Sequence, residues 1–252
     1  MTGFTQDIVS RWLTALEARH LADLRVPEVT RALRALSSAY VQRRHKVASG
    51  ATLDSAGKRA AFALFYGPLH FLTVTHVVRA LGAEQPAPAA ILDLGCGTGV
   101  AGAAWALAAG SSPFITGIER HPWAVDEARW TYRSLGLRGQ AKAADLARLP
   151  RVPPRGAVGA AYALNELPVE ARARVEDQLV AAAAGPTRVL ILEPIARSVT
   201  PWWDVAAARI VAAGGRADEW RFDVDLPPLL QLFDKAAGLN HRELKVRTLY
   251  IG

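Results

Sequence analysis

The chain holds a single cysteine, Cys96, among 252 residues. One thiol excludes a disulfide framework. It also excludes any multi-cysteine zinc or iron–sulfur site built by this chain alone, so no metal is expected. Scarce cysteine suits a reducing compartment. Charged residues are modest at 21% and hydrophobic residues reach 51%, an ordinary globular balance that excludes disorder over the whole length. The 20 glycines and 15 prolines follow no short period and no heptads persist, which excludes collagen-like and coiled-coil fibres. The apolar stretches are broken by glycine or charge before the roughly 18 residues of a membrane span. The opening segment carries Asp7, Arg11, Glu17 and Arg19, which interrupt the apolar core a signal peptide needs. A soluble, cytoplasmic protein with no membrane partner is expected.

Acidic residues are in deficit, and the net charge is +7. Residues 1–90 carry +5 of it. A basic face of this kind suits a polyanion such as RNA. The competing reading is a solvated, arginine-rich helical surface. The candidate RNA contacts are Arg43, Arg44, His45 and Lys46, with Lys58 and Arg59, in a stretch rich in small residues.

Residues 4–83 read as helices, from Ile8, Trp12, Leu13 and Leu16 and then Val29, Leu33, Leu36 and Tyr40 at helical spacing. Residues 42–58 read as a loop, and 60–81 as a third helix kinked at Gly67-Pro68. The segment GAEQPAPA, 82–89, predicts a boundary between a helical subdomain, 1–84, and a second domain, 85–252. Beyond it, short apolar runs alternate with helical patterns: strands at 90–94, 114–119, 140–144, 157–164, 188–192 and 243–251. Helices are expected at 100–109, 122–135, 169–184, 202–213 and 229–237. This alternation predicts an α/β, mainly parallel, doubly wound sheet. The chain end leaves little room for a complete final hairpin.

The sharpest motif is ILDLGCGTG, 91–99, an apolar strand running into a loop with Gly95, Gly97 and Gly99. A dinucleotide site needs G-x-G-x-x-G, but Val100 stands at the third glycine's place. The G-x-G-x-G form resembles the first motif of class I methyltransferases, which bind S-adenosylmethionine. Glu119 ends the next strand, 26 residues after Asp93, where a carboxylate accepts two ribose hydroxyls. The resemblance implies that Asp145 meets the adenine amino group. It places Asp93, Gly95, Cys96, Gly97, Gly99, Arg120, Leu146 and Asn165 around the cofactor as well, with His121 and Pro122 lining it more loosely.

AYALNELP, 161–168, closes the fourth strand; the resemblance to class I methyltransferases implies that this point lies beside the reactive methyl group. Asn165 and Glu166 are the candidate catalytic residues; a helix start capped by Asn165 is the competing reading. The motif shares its asparagine with the N-P-P-Y of aminomethyltransferases but lacks the adjacent proline and the aromatic. Tyr66 and His70 are candidates for a lid over the substrate, and Trp202 for stacking on a base. Ordinary packing competes for all three.

The segments at 61–82, 92–107, 161–168, 190–194 and 206–215 together resemble the methyltransferase-like proteins of the mitochondrial small ribosomal subunit and their bacterial relatives. That resemblance implies a Rossmann-like methyltransferase with an N-terminal helical subdomain, acting on RNA, with rRNA or the small ribosomal subunit as partner. The family's iron–sulfur cysteines are missing from EWRFDVDLPPLLQLF, 219–233. A small-molecule methyltransferase and a catalytically silent ribosome-assembly factor are the alternatives.

Overall fold

A computed structural model describes residues 3–42, 53–146 and 152–252. Arg43, Arg44, His45 and Lys46 lie outside the described residues. The chain divides into two compact units, 1–70 with 223–243, and 71–222 with 244–252. The division falls before the 82–89 segment and takes a C-terminal stretch into the first unit.

The first unit is helical. It contains α1 (Gly3–His20), α2 (Val26–Gln42), α3 (Ala56–Ala61), a π-helical turn (Phe62–Tyr66) and α9 (Pro228–Ala237). The spacing of Trp12 and Leu16, and of Val29, Leu33 and Leu36, puts each set on one helix face. All five are buried, as are Leu64, Phe65, Leu230 and Phe233. The kink expected at Gly67-Pro68 takes the form of that π turn. Pro68 has no N–H to give the carbonyl of Leu64, and the helix widens just before it. From α3 through the turn into α4 (Gly67–Ala80), 25 residues are continuously helical and apolar enough, by length and composition, to cross a bilayer. This corrects the expectation that no stretch reaches that length. Two-thirds of its most apolar window, 67%, is buried within the protein, as in a core helix.

The second unit is a seven-stranded sheet in the order β3-β2-β1-β4-β5-β7-β6. The strands are β1 (Ala90–Leu94), β2 (Phe114–Glu119), β3 (Gly139–Ala143), β4 (Ala157–Ala161), β5 (Arg188–Glu193), β6 (Arg216–Asp223) and β7 (Glu243–Ile251). β1 to β5 run parallel, and β7 is antiparallel to β5. Strands buried on both faces read as continuous apolar runs, which is why AILDL and RVLILE were legible. β6 was not: it alternates exposed and half-buried residues, RADEWRFD, at the sheet edge. It lies beside β7 and completes the final hairpin, against the expectation that the chain end leaves little room for one.

The helices of this unit are α5 (Val100–Ala109), α6 (Pro122–Ser134), α7 (Val169–Ala183) and α8 (Trp203–Ala212). Small residues let α5 lie close to the sheet. Gly102, Ala103, Ala104 and Ala106 are all buried. Leu92, Val158, Leu179, Ile191, Trp203 and Leu249 belong to the apolar core on the sheet. The strand order reverses between β1 and β4, so the crevice at their carboxyl ends is where ligands of such sheets bind.

Candidate functional site

At the end of β1 the chain turns through Gly95, Gly97 and Gly99, all at positive φ, of 63°, 51° and 80°. A side chain there would be strained on backbone grounds alone. Gly95 is also crowded, since a Cβ on it would stand 2.5 Å from the Cβ of Ala163 after β4. Asp93 is buried beneath the loop, and its Oδ2 accepts the N–H of Gly102 at 2.8 Å. Burial pushes its pKa up to about 7, against the pull of that bond. Asp93 therefore ties β1 to the first turn of α5, holding the loop from below.

Cys96 turns its thiol inward, against Gly117 and the Tyr132 hydroxyl, and burial pushes the thiol's pKa up. A Cβ on Gly117 would lie 2.7 Å from both groups. The backbone N–H of Cys96 donates to the carbonyl of Ile118 at 3.0 Å.

Glu119, half-buried at the end of β2, receives the N–H of Gly97 on Oε2 at 3.1 Å and that of His121 on Oε1 at 2.8 Å. Two backbone donors fix the carboxylate in one orientation, with a further lone pair on each oxygen for a ligand. Arg120 is exposed and pairs with Glu166 at 3.6 Å. That ion pair joins the residue after β2 to the turn after β4, the strands on either side of β1. Asp145 is exposed just beyond β3. Leu146 packs on the core, its Cδ1 3.4 Å from where a Cβ on Gly95 would be.

The strand expected to run to Leu164 ends at Ala161. Tyr162 has φ +58°, an uncommon conformation for a bulky residue, and breaks the extended run into a 3-10 turn at Leu164–Glu166. The Tyr162 side chain bonds to Thr73, and burial pushes its pKa up. Asn165 Nδ2 donates to the carbonyl of Tyr162 at 3.0 Å and to Oε2 of Glu193 at 2.6 Å, while its backbone N–H donates to Oε1 of Glu193 at 3.1 Å. Glu193 is fully buried at the end of β5. Burial pushes its pKa up to about 8, although Asn165 and the N–H of Leu164 pull it down; Glu166 adds to the rise. Arg247, its register partner on β7, lies over the Trp203 ring and bonds the carbonyl of Pro194 and Thr200 Oγ1.

Glu193 and Tyr162 are the residues that sequence reasoning missed. A carboxylate ending an otherwise apolar strand was the available signal for Glu193, since buried acids are rare without partners. Trp202 packs on the sheet's apolar core, and Arg172 lies 4.8 Å from its ring centroid. Arg172 therefore covers one face of that ring. Tyr66 and His70 belong to an aromatic group with Phe62 in the helical unit, at 6.0–6.4 Å between centroids. Burial drops the pKa of His70 to about 4, so it is neutral at pH 7. Among the described residues, no group of three or more His, Cys, Asp or Glu is placed to hold a metal ion.

Residues 91–184 match the family model described as a methyltransferase domain. No curated protein matches the sequence significantly. Among solved structures, the plantazolicin methyltransferase in complex with S-adenosylhomocysteine is similar in fold, with a TM-score of 0.51 at 12% identity over 87% of this chain and 95% of that one. The magnesium protoporphyrin IX methyltransferase of Synechocystis PCC 6803, with bound S-adenosylmethionine, has a TM-score of 0.47 at 16% identity over 73% and 80%. An S-adenosylmethionine-dependent methyltransferase of Aquifex aeolicus has 0.47 at 16% over 69% and 87%.

Proposed function

We propose that this protein is an S-adenosylmethionine-dependent methyltransferase whose acceptor is RNA. The observation that carries the transferase reading is the glycine loop at the sheet's reversal point, with the Glu119 carboxylate locked beside it by Gly97 and His121. The cradle fits the cofactor. The three glycines leave room for a ligand to meet the backbone, and each oxygen of Glu119 keeps a lone pair for a ribose hydroxyl. Val100 in place of a third spaced glycine disfavours a pyrophosphate-bearing dinucleotide.

Glu119 binds the ribose, Asp145 and Leu146 border the adenine, and Gly95 to Gly99 follow the methionyl arm. Arg120 and Glu166 close over the loop. Bound cofactor supplies an electrophilic methyl group together with its own leaving group. The chain's task is orientation and the exclusion of water. Asn165 and Glu166, on the turn after β4, face the acceptor.

The RNA reading rests on the +5 charge of residues 1–90 and on the resemblance to ribosome-associated methyltransferase-like proteins. The decisive assay gives the protein tritiated S-adenosylmethionine with total RNA and, separately, with a protein-free metabolite extract. Label in RNA supports the proposal. Label confined to metabolites removes the RNA reading. Calorimetric binding of NADH in place of S-adenosylmethionine removes the transferase reading as well.

A further inference from the structure

We propose that the sheet edge at β3 is a phosphate track, on which Arg133, Arg138 and Lys142 hold the backbone of the acceptor RNA. The proposal rests on the RNA reading and deepens it by assigning a contact surface on the sheet unit.

Residues 128–144 hold four cations, Arg129, Arg133, Arg138 and Lys142, and no Asp or Glu. They run from the middle of α6 through a short turn into β3, the outermost strand on this side of the sheet. Arg129 is engaged: it pairs with Asp126 at 3.0 Å, and its Nε donates to the carbonyl of Ala141 at 3.0 Å. The other three are exposed, and none has an ion-pair partner among the described residues. Elsewhere in this unit Arg172, Arg209, Arg216 and Arg221 each lie against a carboxylate. Neighbouring cations without such compensation repel one another, and a polyanion relieves the repulsion.

The backbone beneath these cations is fixed. A Cβ on Gly139 would lie 3.0 Å from Tyr132, while Arg129, one turn earlier on α6, reaches Ala141. The helix therefore runs back along the strand and sets Arg133 level with the start of β3, close to Arg138. Lys142 stands about 13 Å farther along the strand. The connecting turn is closed by the N–H of Gly136 on the carbonyl of Arg133 and that of Leu137 on the carbonyl of Tyr132, at 3.0 and 2.8 Å. The carbonyl of Arg138 receives the N–H of Ile115 at 2.9 Å. A rigid presentation lowers the ordering cost of binding. Ala141 is buried on the side of α6, so alternation directs Lys142 to the opposite face and the cations straddle the edge.

Cations on an edge strand also ward off pairing with a foreign β-strand. Arg129 already serves that end by occupying the carbonyl of Ala141, an acceptor an incoming strand would use. The remaining three suit phosphates, which need point charges along a line rather than a ladder of main-chain groups. The line follows β3 toward Asp145, which borders the proposed adenine site, so RNA lying on it is led to the crevice.

The test compares the full chain with the triple variant Arg133→Gln, Arg138→Gln and Lys142→Gln. Binding of a labelled single-stranded uridine oligonucleotide is followed by anisotropy across a salt series. Loss of three phosphate contacts should flatten the log–log slope by about 2 units and weaken binding by about 100-fold at about 0.1 M salt. Each single variant should flatten it by about 0.7. Arg133→Lys, Arg138→Lys and Lys142→Arg together keep the charge and should keep the slope. S-Adenosylmethionine affinity and melting temperature should match the parent in every variant, since the three side chains are exposed. With total RNA as acceptor, the triple variant should show a raised KM at unchanged kcat. A parent that binds and methylates RNA, beside a triple variant with the same slope and KM, overturns the track and leaves the RNA reading standing. A parent that neither binds nor labels RNA overturns both. If the triple variant instead loses only the parent's binding to phosphatidylserine vesicles, the edge is a membrane contact and the proposal falls.

Discussion

Glu119 holds a backbone N–H on each carboxylate oxygen, which leaves it oriented and still able to accept. In the proposed cofactor site, Glu119→Ala removes the acceptor for the ribose hydroxyls and frees the N–H groups of Gly97 and His121. S-Adenosylmethionine affinity should fall by about 10- to 100-fold, equivalent to about 1–3 kcal/mol. Glu119→Gln keeps one acceptor and should lose less. Isothermal calorimetry on the three proteins checks the order, and equal affinities would remove Glu119 from the ribose. That Glu119 ends β2 was legible in the sequence because strand and acid lie within one local segment. The inward turn of the Cys96 thiol was not, because it depends on Gly117 and Tyr132 leaving room for sulfur.

At the scale of elements, the joint between β1 and α5 matters most to the site. Gly99, at φ 80°, begins the helix without a side-chain cap. The orphan N–H of Gly102 is satisfied from below by Asp93. In Asp93→Ala that donor is left buried and unpaired, at a cost of about 1–3 kcal/mol. Urea unfolding should show the loss, and cofactor affinity should drop with it because the loop above is no longer anchored. Asp93→Asn can still accept and should recover most of the stability. A variant as stable as the parent would mean that helix and strand hold the loop without the carboxylate. The turn after β4 is the second element on which the site depends. Its short strand and left-handed Tyr162 defeated a periodicity reading that extended the strand to Leu164.

At the scale of the whole molecule, Asp93, Glu193 and His70, among the described residues, make the stability depend on pH near neutrality. The pKa values of Asp93 and Glu193 are raised in the folded state, to about 7 and about 8. Their stabilising contribution is complete below the unfolded values, near 4, and is lost as pH rises through the folded ones. His70 is lowered to about 4, so its contribution is present above about 6.5 and lost as pH falls. Between pH 6.5 and 8 the two carboxyl groups act without that opposition. The melting temperature should fall across this window, with about 1.4 kcal/mol for each pKa unit traversed. Glu193→Gln should flatten the slope. A melting temperature level from pH 6.5 to 8 would mean that neither group is raised. The charge asymmetry is likewise a property of the whole chain. If residues 1–90 meet RNA phosphates, neutralising Arg43, Arg44 and Lys46 together should flatten the log–log salt dependence of RNA binding by about 2 units. Filter binding across a salt series measures this, and an unchanged slope would take these three residues off the RNA.

What the sequence determined by itself is local. Buried parallel strands read as apolar runs, helices show their 3.6-residue period, and a glycine triplet after a strand announces a backbone that must turn and meet a ligand. Those signals were enough for the α/β class, the glycine turn after β1 and the carboxylate that ends β2. The tertiary structure decided what depends on distant partners. Asn165 and Glu193 are 28 residues apart, and only the parallel pairing of β4 with β5, which sets Ala161 against Leu192, brings them into hydrogen-bonding reach. The edge strand β6 had no buried face to mark it, and α9 joined the N-terminal helices through an apolar face that has no mark of destination in the sequence. Periodicity shows that a face is buried; only the fold shows against what.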